Sequence, residues 1–333
     1  MSSDIQAFKN NRIAELKKTF NNKYTIILNN FNTAYKQTFN NITLSQTRKR
    51  QLLNTLSNNF NTQVIQLRSG LDSEIALVNK LIINQPVINS NKKALLIGIN
   101  YIGSMYELSG CINDVEAIEK RLKETGFKDF VKLTDNTPIK PTKSEILKAF
   151  TNLLRSGKKG DLLCFCYSGH GSSILDRSGD ETDGRDESIV SLDLNIVTDD
   201  DLKAIIQKEL KEDVTLLGIF DSCFSGSVLD LKYVYNDSMN LDKYTEYGKN
   251  IDTNGNVICL SSSMDSQTSA EAWVNSKVRG ALCACLTDIF TDKNITWRNL
   301  LLNTRKILQL NGYPQIPQLS SGKIMNMDTK VFI

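Results

Sequence analysis

The chain has 333 residues, of which 40 are basic and 37 are acidic, so its formal net charge is +3. This length accommodates one large α/β domain with an accessory segment, or two ordinary domains. The nearly balanced charge and the lack of a basic cluster interleaved with aromatic residues argue against a nucleic-acid partner. No run of about 18 apolar residues is present, and the first residues lack a signal-peptide core, so we predict a cytoplasmic protein without a membrane partner.

The first 85 residues carry the pattern of two long amphipathic helices. Apolar side chains recur at steps of three and four over residues 5–42, and again over residues 52–82. We predict an antiparallel helical hairpin over residues 1–85. It acts either as an arm for docking or oligomerisation, or as a helical pair packed on its own domain. Pro86 ends the helical pattern, and residues 86–92 are predicted to form a linker.

Short apolar runs alternate with helical patterns in the rest of the chain, and GDETDGRDES at 179–188 is predicted to be a loop. This alternation is typical of an α/β fold with a mostly parallel central sheet flanked by helices. Ligands of such sheets bind beyond the carboxyl ends of the strands. Predicted strands lie at 93–100, 130–135, 161–169, 214–222 and 256–263, and predicted helices at 111–126, 143–157 and 199–210.

The seven cysteines do not follow the spacing of a zinc site or a disulfide framework. Four of them lie in apolar stretches, where a free cysteine behaves as a small hydrophobic residue. We therefore predict that Cys164, Cys166, Cys283 and Cys285 belong to the core. Cys223 lies in a different setting, among the serine and glycine residues of DSCFSG.

His170, the only histidine, follows one predicted strand, and Cys223 follows another. Because the carboxyl ends of parallel strands share one edge of a sheet, we expect the two side chains to meet there. A thiol and an imidazole together form a nucleophilic dyad, in which the thiolate attacks a carbonyl and the imidazole protonates the leaving amine. The N–H groups of Gly171 and Cys223 would form an oxyanion hole. The histidine precedes the cysteine by about 50 residues, as in caspases.

The motifs around these residues resemble a known family. YSGHG, DSCFSGS and LSGCINDVEAI are similar to the corresponding blocks of metacaspases, which are caspase-like cysteine peptidases. The similarity continues through GDETDGRDE, SSMDSQTSAEA and GYPQIPQLSSG, and it covers roughly residues 92–333 in the family's order. The helical hairpin takes the place of an N-terminal pro-region, and the lack of a long insertion between the two halves indicates the type I arrangement.

The resemblance implies a caspase-like peptidase domain over residues 93–333. It divides into a large-subunit-like part at 93–230, a loop at 231–255 and a small-subunit-like part at 256–333. The resemblance also implies an endopeptidase that cleaves proteins after Arg or Lys. The residues at the matching positions of the specificity pocket are Cys111, Asp114, Ser168 and Asp221. Two carboxylates in a partly desolvated pocket bind a guanidinium or an ammonium group and reject an acidic side chain.

The resemblance further implies activation by calcium. Hard oxygen ligands drawn from loops suit this ion, and waters and carbonyls complete its coordination shell. The segment between Asp186 and Asp199 is somewhat shorter than in the family. Without a metal, the same acids would be a solvated loop and the acidic first turn of a helix. The matching ligand positions are Asp186, Asp199, Asp200 and Asp230.

The chain departs from the family at Phe224, where members usually carry a histidine directly after the nucleophile. No second imidazole is therefore present to replace His170.

An enzyme specific for basic residues could also process its own zymogen at exposed lysines of the linker and of the loop at 231–255. The candidate self-cleavage sites are Lys92, Lys93, Lys232, Lys243 and Lys249.

Two other hypotheses remain open at this stage. The caspase-like domain could be a catalytically weak scaffold that assembles partners through its hairpin, although a scaffold has no need to keep His170 and Cys223. A peptidase of the same fold with asparagine preference is the second alternative, against which the acidic pocket argues. We expect a monomeric peptidase domain, with any assembly mediated by the hairpin.

Overall fold

The computed structural model describes residues 2–80, 91–175, 185–223, 225–236, 241–247, 253–262, 271–274 and 277–332. The chain divides into two compact units, Met1–Ile83 and Asn84–Ile333. Most of the predicted linker lies outside the described residues. Its last residue, Lys92, begins the first strand of the second unit rather than ending a linker.

The first unit is a pair of long helices, α1 (Ser2–Asn40) and α2 (Gln46–Lys80). The Ser45 hydroxyl accepts a hydrogen bond from the Arg48 N–H at 3.3 Å and so caps the start of α2. The helices run antiparallel and pack through aromatic rings, with the centroids of Phe31 and Phe60 4.7 Å apart. Two helices alone cannot enclose a core, and their apolar side chains are mostly half-buried.

The second unit contains the remaining helices and all the strands of the described chain. Its helices are α3 (Cys111–Glu124), α4 (Lys143–Ser156), α5 (Asp199–Glu209), α6 (Ala281–Ile289) and α7 (Trp297–Leu310). Its strands are β1 (Lys92–Gly98), β2 (Asp129–Thr134), β3 (Leu162–Ser168), β4 (Gly171–Leu175), β5 (Arg185–Val190), β6 (Ile196–Thr198), β7 (Thr215–Asp221), β8 (Tyr233–Val234), β9 (Thr245–Glu246), β10 (Asn256–Ser261), β11 (Glu271–Val274), β12 (Lys277–Gly280) and β13 (Gln318–Ser321).

Eight strands form the central sheet in the order β2-β1-β3-β7-β10-β13-β8-β9. The first five are parallel to their neighbours and the last three pair antiparallel. Successive side chains of a strand point to opposite faces of its sheet. Leu95 and Ile97 of β1 pack in one apolar cluster with side chains of α4 and α5, whereas the intervening Leu96 is buried on the opposite face. Helices therefore flank the sheet, and the predicted fold class is confirmed.

Two predicted loops contain strands. Residues 179–184 lie outside the described residues, but from Arg185 onward the predicted acidic loop is β5, which pairs antiparallel with β4 and β6. The predicted loop at 231–255 contributes β8 and β9 to the end of the central sheet. β8 and β9 have two residues each and β5 begins with charged residues, so none of the three has the continuous apolar run that marks a buried parallel strand.

The parallel register of β3 and β7 sets the position of the functional site. Ser168, the last residue of β3, pairs with Asp221, the last residue of β7. Gly98, at the end of β1, pairs with Ser168 on its other side. The segments that leave these strands therefore start at one edge of the sheet, where open α/β sheets bind their ligands.

Candidate active site

The structure brings the segments of His170 and Cys223 together. His170 follows β3 and Cys223 follows β7, and both side chains are half-buried. The backbone of Cys223 lies directly against Gly171, because a Cβ added at Gly171 would come within 1.8 Å of the Cys223 carbonyl oxygen. Only glycine permits this approach without displacement of the backbone. The segments that carry the two side chains therefore lie side by side at this edge of the sheet.

A backbone carbonyl holds the His170 ring. Its Nε2 lies 2.8 Å from the carbonyl oxygen of Tyr106. A carbonyl oxygen only accepts hydrogen bonds, so Nε2 carries the proton in this contact. In the neutral imidazole Nδ1 is then the nitrogen with a free lone pair, which makes it the ring atom that can accept a proton.

Two buried tyrosines fix the backbone of His170. Its N–H donates to the Tyr101 hydroxyl at 3.1 Å, and the Tyr167 hydroxyl donates to its carbonyl oxygen at 2.7 Å. The Tyr101 hydroxyl itself donates to the carbonyl oxygen of Val190 at 2.6 Å. Burial raises the pKa of both phenols above the ordinary value, so both remain protonated donors. No sequence pattern marks these two tyrosines, since their hydroxyls meet only in the folded chain.

The predicted pocket residues also lie together, at the same edge of the sheet. The Ser168 hydroxyl donates to Asp114 at 2.8 Å, and Cys111 is buried at the start of α3. One carboxylate oxygen of Asp114, one of Asp221 and the Cys283 sulfur all lie within 4.8 Å of one another. These two carboxylates form the buried acidic pair of the site.

Backbone N–H groups of the segment before and within α6 cover this acidic pair. The Gly280 N–H donates to both Asp114 oxygens, at 3.0 and 2.9 Å, and the Cys283 N–H donates to Asp221 at 2.8 Å. A Cβ at Gly280 would lie 2.2 Å from the Asp221 carboxylate, so this position requires glycine. Asp114 is 0% exposed and Asp221 is 5% exposed, so the acidic pair is closed from solvent in this structure.

Arg279 is a charged neighbour of the acidic pair that the sequence analysis missed. Its Nε lies 3.6 Å from Asp114 and its Nη1 donates to the Thr287 hydroxyl at 3.2 Å. Its Nε and Nη2 are buried, and no described residue forms a hydrogen bond with them. The guanidinium therefore offsets part of the negative charge of the pair, while its own hydrogen-bonding capacity is not fully used.

The buried carboxyl of Asp114 predicts a pH-dependent cost in stability. Burial, followed by the charge of Asp221, raises its pKa above the ordinary value of about 4. The folded chain then binds this proton more tightly than the unfolded chain. The stabilising contribution of the protonated carboxyl is therefore present at low pH and is lost as pH rises towards the raised pKa.

We expect Asp114→Asn to remove this loss of stability at rising pH. Relative to wild type, the free energy of unfolding of the variant should increase between about pH 5 and about pH 8, measured by urea denaturation. Asp288→Asn, which removes an exposed carboxyl of α6, is the control and should show a smaller change. A difference between Asp114→Asn and wild type that is independent of pH would contradict this assignment.

The predicted calcium ligands form a second acidic cluster. Carboxylate oxygens of Asp199, Asp200 and Asp230 lie within 4.8 Å of one another. Asp186 is buried in β5, and its charge adds to the environment of Asp199. Burial, followed by the charge of Asp230, raises the pKa of Asp199 to about 8. Carboxylates packed this closely repel one another, and a cation bound among them would offset that cost.

The contacts of the Asp230 carboxylate indicate that this cluster suits a metal ion. Its Oδ1 is buried and has no hydrogen-bond partner within the described part of the chain, while its Oδ2 lies 2.9 Å from the Lys203 ammonium. Buried carboxylate oxygens are normally paired or coordinate a metal. The all-oxygen donor set is the one that Ca²⁺ prefers, so the residues present fit this ion.

The structure corrects the expected location of two candidate self-cleavage sites. Lys92 and Lys93 are not in an exposed linker but in β1, which is paired on both sides by β2 and β3. Their ammonium groups donate to the carbonyl oxygens of Thr125 and Ser156, each at 3.1 Å. A peptidase would have to unfold a central strand to reach either bond.

The other lysines differ in accessibility. Lys232 pairs with Glu246 at 3.4 Å and its side chain is 21% exposed, whereas Lys243 is exposed. Lys249 and Phe224 lie outside the described residues. Among the described residues, no helix combines the length and the apolar character that a membrane span requires.

Comparisons with known proteins agree with this arrangement. The family described as "Metacaspase, peptidase C14 domain" matches residues 92–232. The chain is 35% identical over 293 residues to Metacaspase-1 of Mycosarcoma maydis, covering 72% of this chain and 73% of that protein. It is 34% identical over 266 residues to Metacaspase-2 of Trypanosoma brucei brucei, covering 73% of this chain and 76% of that protein.

A crystal structure of a Geobacter sulfurreducens protein has a similar fold. Its TM-score is 0.55 at 22% identity, and the match covers 73% of this chain and 98% of that one. At this identity the likeness concerns the fold alone. The family match and the curated relatives carry the assignment further. The chain belongs to the metacaspase family and is a caspase-like cysteine peptidase.

Proposed function

We propose that the chain is a calcium-dependent cysteine endopeptidase that cleaves proteins after Arg or Lys, with Cys223 as nucleophile and His170 as acid and base. The observation that carries this proposal is the approach of the Cys223 backbone to Gly171, directly after His170 and beside the buried acidic pair. Nucleophile, base and specificity pocket would thus share one edge of the sheet.

The first chemical step would be transfer of the Cys223 thiol proton to Nδ1 of His170. The thiolate then attacks the carbonyl carbon of the substrate, and the N–H groups of Gly171 and Cys223 stabilise the oxyanion. The imidazolium returns its proton to the leaving amine as the peptide bond breaks. Water, deprotonated by His170, finally hydrolyses the thioester. The hydrogen bond from Nε2 to Tyr106 keeps the ring oriented through both proton transfers.

The acidic pair supports a preference for basic residues. A guanidinium or ammonium group can pair with Asp114 and Asp221, whereas a substrate carboxylate would be repelled. Both carboxylates are covered in this structure, so the proposal includes a shift of the backbone at Gly280 that opens the pocket. A closed pocket is consistent with an enzyme that needs activation.

One assay tests this function. Wild type and Cys223→Ala are incubated with reporter peptides that carry Arg, Asn or Asp before the cleaved bond, with and without calcium. We expect cleavage of the Arg peptide by wild type in the presence of calcium and none by Cys223→Ala. Preference for the Asp peptide, or equal activity of Cys223→Ala, would overturn the proposal.

The acidic cluster of Asp186, Asp199, Asp200 and Asp230 would hold the calcium ion. The ion would neutralise the cluster and order the loops that meet there. Ser227 links this region to the nucleophile segment, because its hydroxyl donates to Glu187 at 2.6 Å and its carbonyl oxygen accepts from the Asp230 N–H at 2.6 Å. A change at the cluster can therefore reach the segment that follows Cys223.

We expect Asp200→Ala to lose at least about tenfold in kcat/KM at a calcium concentration that saturates wild type, since a ligand carboxylate is removed. EDTA should abolish the activity of wild type. Asp288→Ala removes an exposed carboxyl elsewhere and serves as the control, with activity close to wild type. Activity that survives EDTA, or an Asp200→Ala variant as active as the control, would contradict the calcium site.

Self-processing is proposed at Lys243 in preference to Lys232, because Lys243 is exposed whereas Lys232 is held by Glu246. Proteolysis favours accessible segments with few contacts. Wild type with calcium should be cut after Lys243, as read by mass spectrometry, and Cys223→Ala should stay intact. Breakdown of Cys223→Ala at this site would show that the cleavage is not self-catalysed.

A further inference from the structure

We propose that Lys203 is an internal cation that competes with calcium for the acidic cluster, and so sets the calcium concentration at which the site fills. This inference rests on the calcium site proposed above. It concerns a residue that the pattern of acidic ligands does not include, and it makes a separate prediction about metal binding.

Lys203 lies on the same helix as two members of the cluster. It follows Asp199 by four positions and Asp200 by three in α5, so the three side chains share one side of the helix. Its ammonium lies 2.9 Å from Oδ2 of Asp230, and the two side chains are 15% and 2% exposed. This is a buried charge pair, where Coulomb attraction is screened little by water.

A single ammonium compensates the cluster incompletely. Asp230 keeps one buried oxygen that has no hydrogen-bond partner among the described residues, and Asp199 and Asp200 each place a carboxylate oxygen within 4.8 Å of a carboxylate oxygen of Asp230. A divalent ion would supply the positive charge that one ammonium cannot. The cluster is therefore held by Lys203 but remains able to bind a stronger cation.

The two cations exclude each other at Asp230. A calcium ion contacts its carboxylate oxygens at about 2.3 to 2.6 Å, so an ion on Asp230 would lie close to an ammonium already paired with that carboxylate. The repulsion between them is strong in a buried site. Calcium must then displace Lys203 from the pair, and the free energy of the pair is subtracted from that of calcium binding.

The competition has a regulatory consequence. With Lys203 in place, the carboxylates are partly neutralised when calcium is scarce, and the region keeps its folded arrangement. Calcium binding then occurs only at a concentration high enough to displace the ammonium. Lys203 would thus stabilise the metal-free chain and raise the threshold for activation at the same time.

The experiment uses the full chain with Cys223→Ala, so that self-cleavage cannot interfere. Calcium is titrated by calorimetry into the metal-free protein with Lys203, Lys203→Met or Lys208→Met. Lys208 is an exposed lysine of the same helix, so its variant removes the same charge away from the cluster. We expect Lys203→Met to bind calcium roughly 5- to 150-fold more tightly, which is the usual size of the coupling between two binding events, and Lys208→Met to bind it within about twofold of the parent.

Thermal unfolding gives a second readout. Without calcium, Lys203→Met should unfold at a lower temperature than the parent, because the acidic cluster loses its internal cation. With saturating calcium, the increase in its midpoint should exceed that of the parent. Lys203→Gln is measured in parallel. Its amide keeps a hydrogen-bond donor near Asp230, so this variant tests the loss of charge even if Lys203→Met does not fold. Lys203→Arg retains the charge and should bind calcium as weakly as the parent.

The outcomes separate this inference from the calcium site itself. Equal or weaker calcium binding by Lys203→Met and Lys203→Gln, with normal binding by the parent, would overturn the competition alone. It would show that Lys203 keeps its place while calcium binds the opposite side of Asp230. A lack of calcium binding by the parent and by every variant would overturn the calcium site and the competition together.

Discussion

Replacing His170 with alanine is expected to abolish peptide-bond hydrolysis rather than slow it. The chain contains one histidine, so no other imidazole can accept the thiol proton or protonate the leaving amine. Nucleophile and base act as a unit, and loss of either typically costs about 10⁴-fold or more in kcat. The measurement is kcat/KM with an Arg reporter peptide at saturating calcium.

The control for His170→Ala is the integrity of the fold. The His170 ring is half-buried and packs against the Tyr101 ring, with centroids 4.8 Å apart, but the hydrogen bonds with Tyr101 and Tyr167 are made by its backbone N–H and carbonyl and do not need the ring. We therefore expect thermal unfolding and calcium binding of the variant to stay close to those of wild type. Residual activity above about 1% of wild type in a folded His170→Ala protein would show that another group performs the proton transfers.

The second large effect is expected for Asp221→Asn. This substitution keeps the size of the side chain but removes one of the two charges of the acidic pair. Removal of one partner from a desolvated charge pair costs about 2 to 5 kcal/mol, so kcat/KM for the Arg peptide should fall roughly 30-fold or more. Asp288→Asn removes an exposed carboxyl and should have little effect.

A second peptide distinguishes a specificity role from a structural one. If Asp221 acts by pairing with the basic side chain, the fall for the Arg peptide should greatly exceed any fall for a peptide with a neutral Asn at that position. Equal losses with both peptides would indicate that Asp221 supports the fold around the Cys283 N–H, to which it is bonded at 2.8 Å, rather than selecting the substrate.

The sequence predicted the parts of the fold that have local signals. The continuous apolar runs of β1, β3 and β7 identified the central parallel strands, and the order of strands and helices identified the sheet. Because these strands are parallel, the segments of His170 and Cys223 begin at the same edge of the sheet. The glycine after His170 is now explained by the contact with the Cys223 carbonyl oxygen.

Residues that act through distant contacts could not be predicted. The Gly280 N–H reaches Asp114 across 166 positions of sequence, and no pattern marks Arg279 as the neighbour of that carboxylate. Tyr101 and Tyr167 look like ordinary core residues until their hydroxyls are seen at the His170 backbone. These contacts depend on how separate segments pack, which periodicity does not reveal.

The misplacement of Lys92 and Lys93 has a different cause. A pair of lysines after a proline-containing stretch is typical of an exposed linker. In β1 both lysines are half-buried, and their ammonium groups reach carbonyl oxygens at the ends of α3 and α4. Long cationic side chains can be partly buried in this manner, so charge alone is a poor guide to exposure.

Covalent labelling tests the central claim most directly. Wild type with calcium is treated with a peptidyl arginine chloromethyl ketone, which alkylates a nucleophilic thiol that lies beside an Arg-binding pocket. We predict one label per chain on Cys223, found by peptide mass mapping, with labelling lost in His170→Ala and strongly reduced in Asp221→Asn. Label on another cysteine, or equal labelling of all three proteins, would contradict the assignment of Cys223, His170 and the acidic pair to one active site.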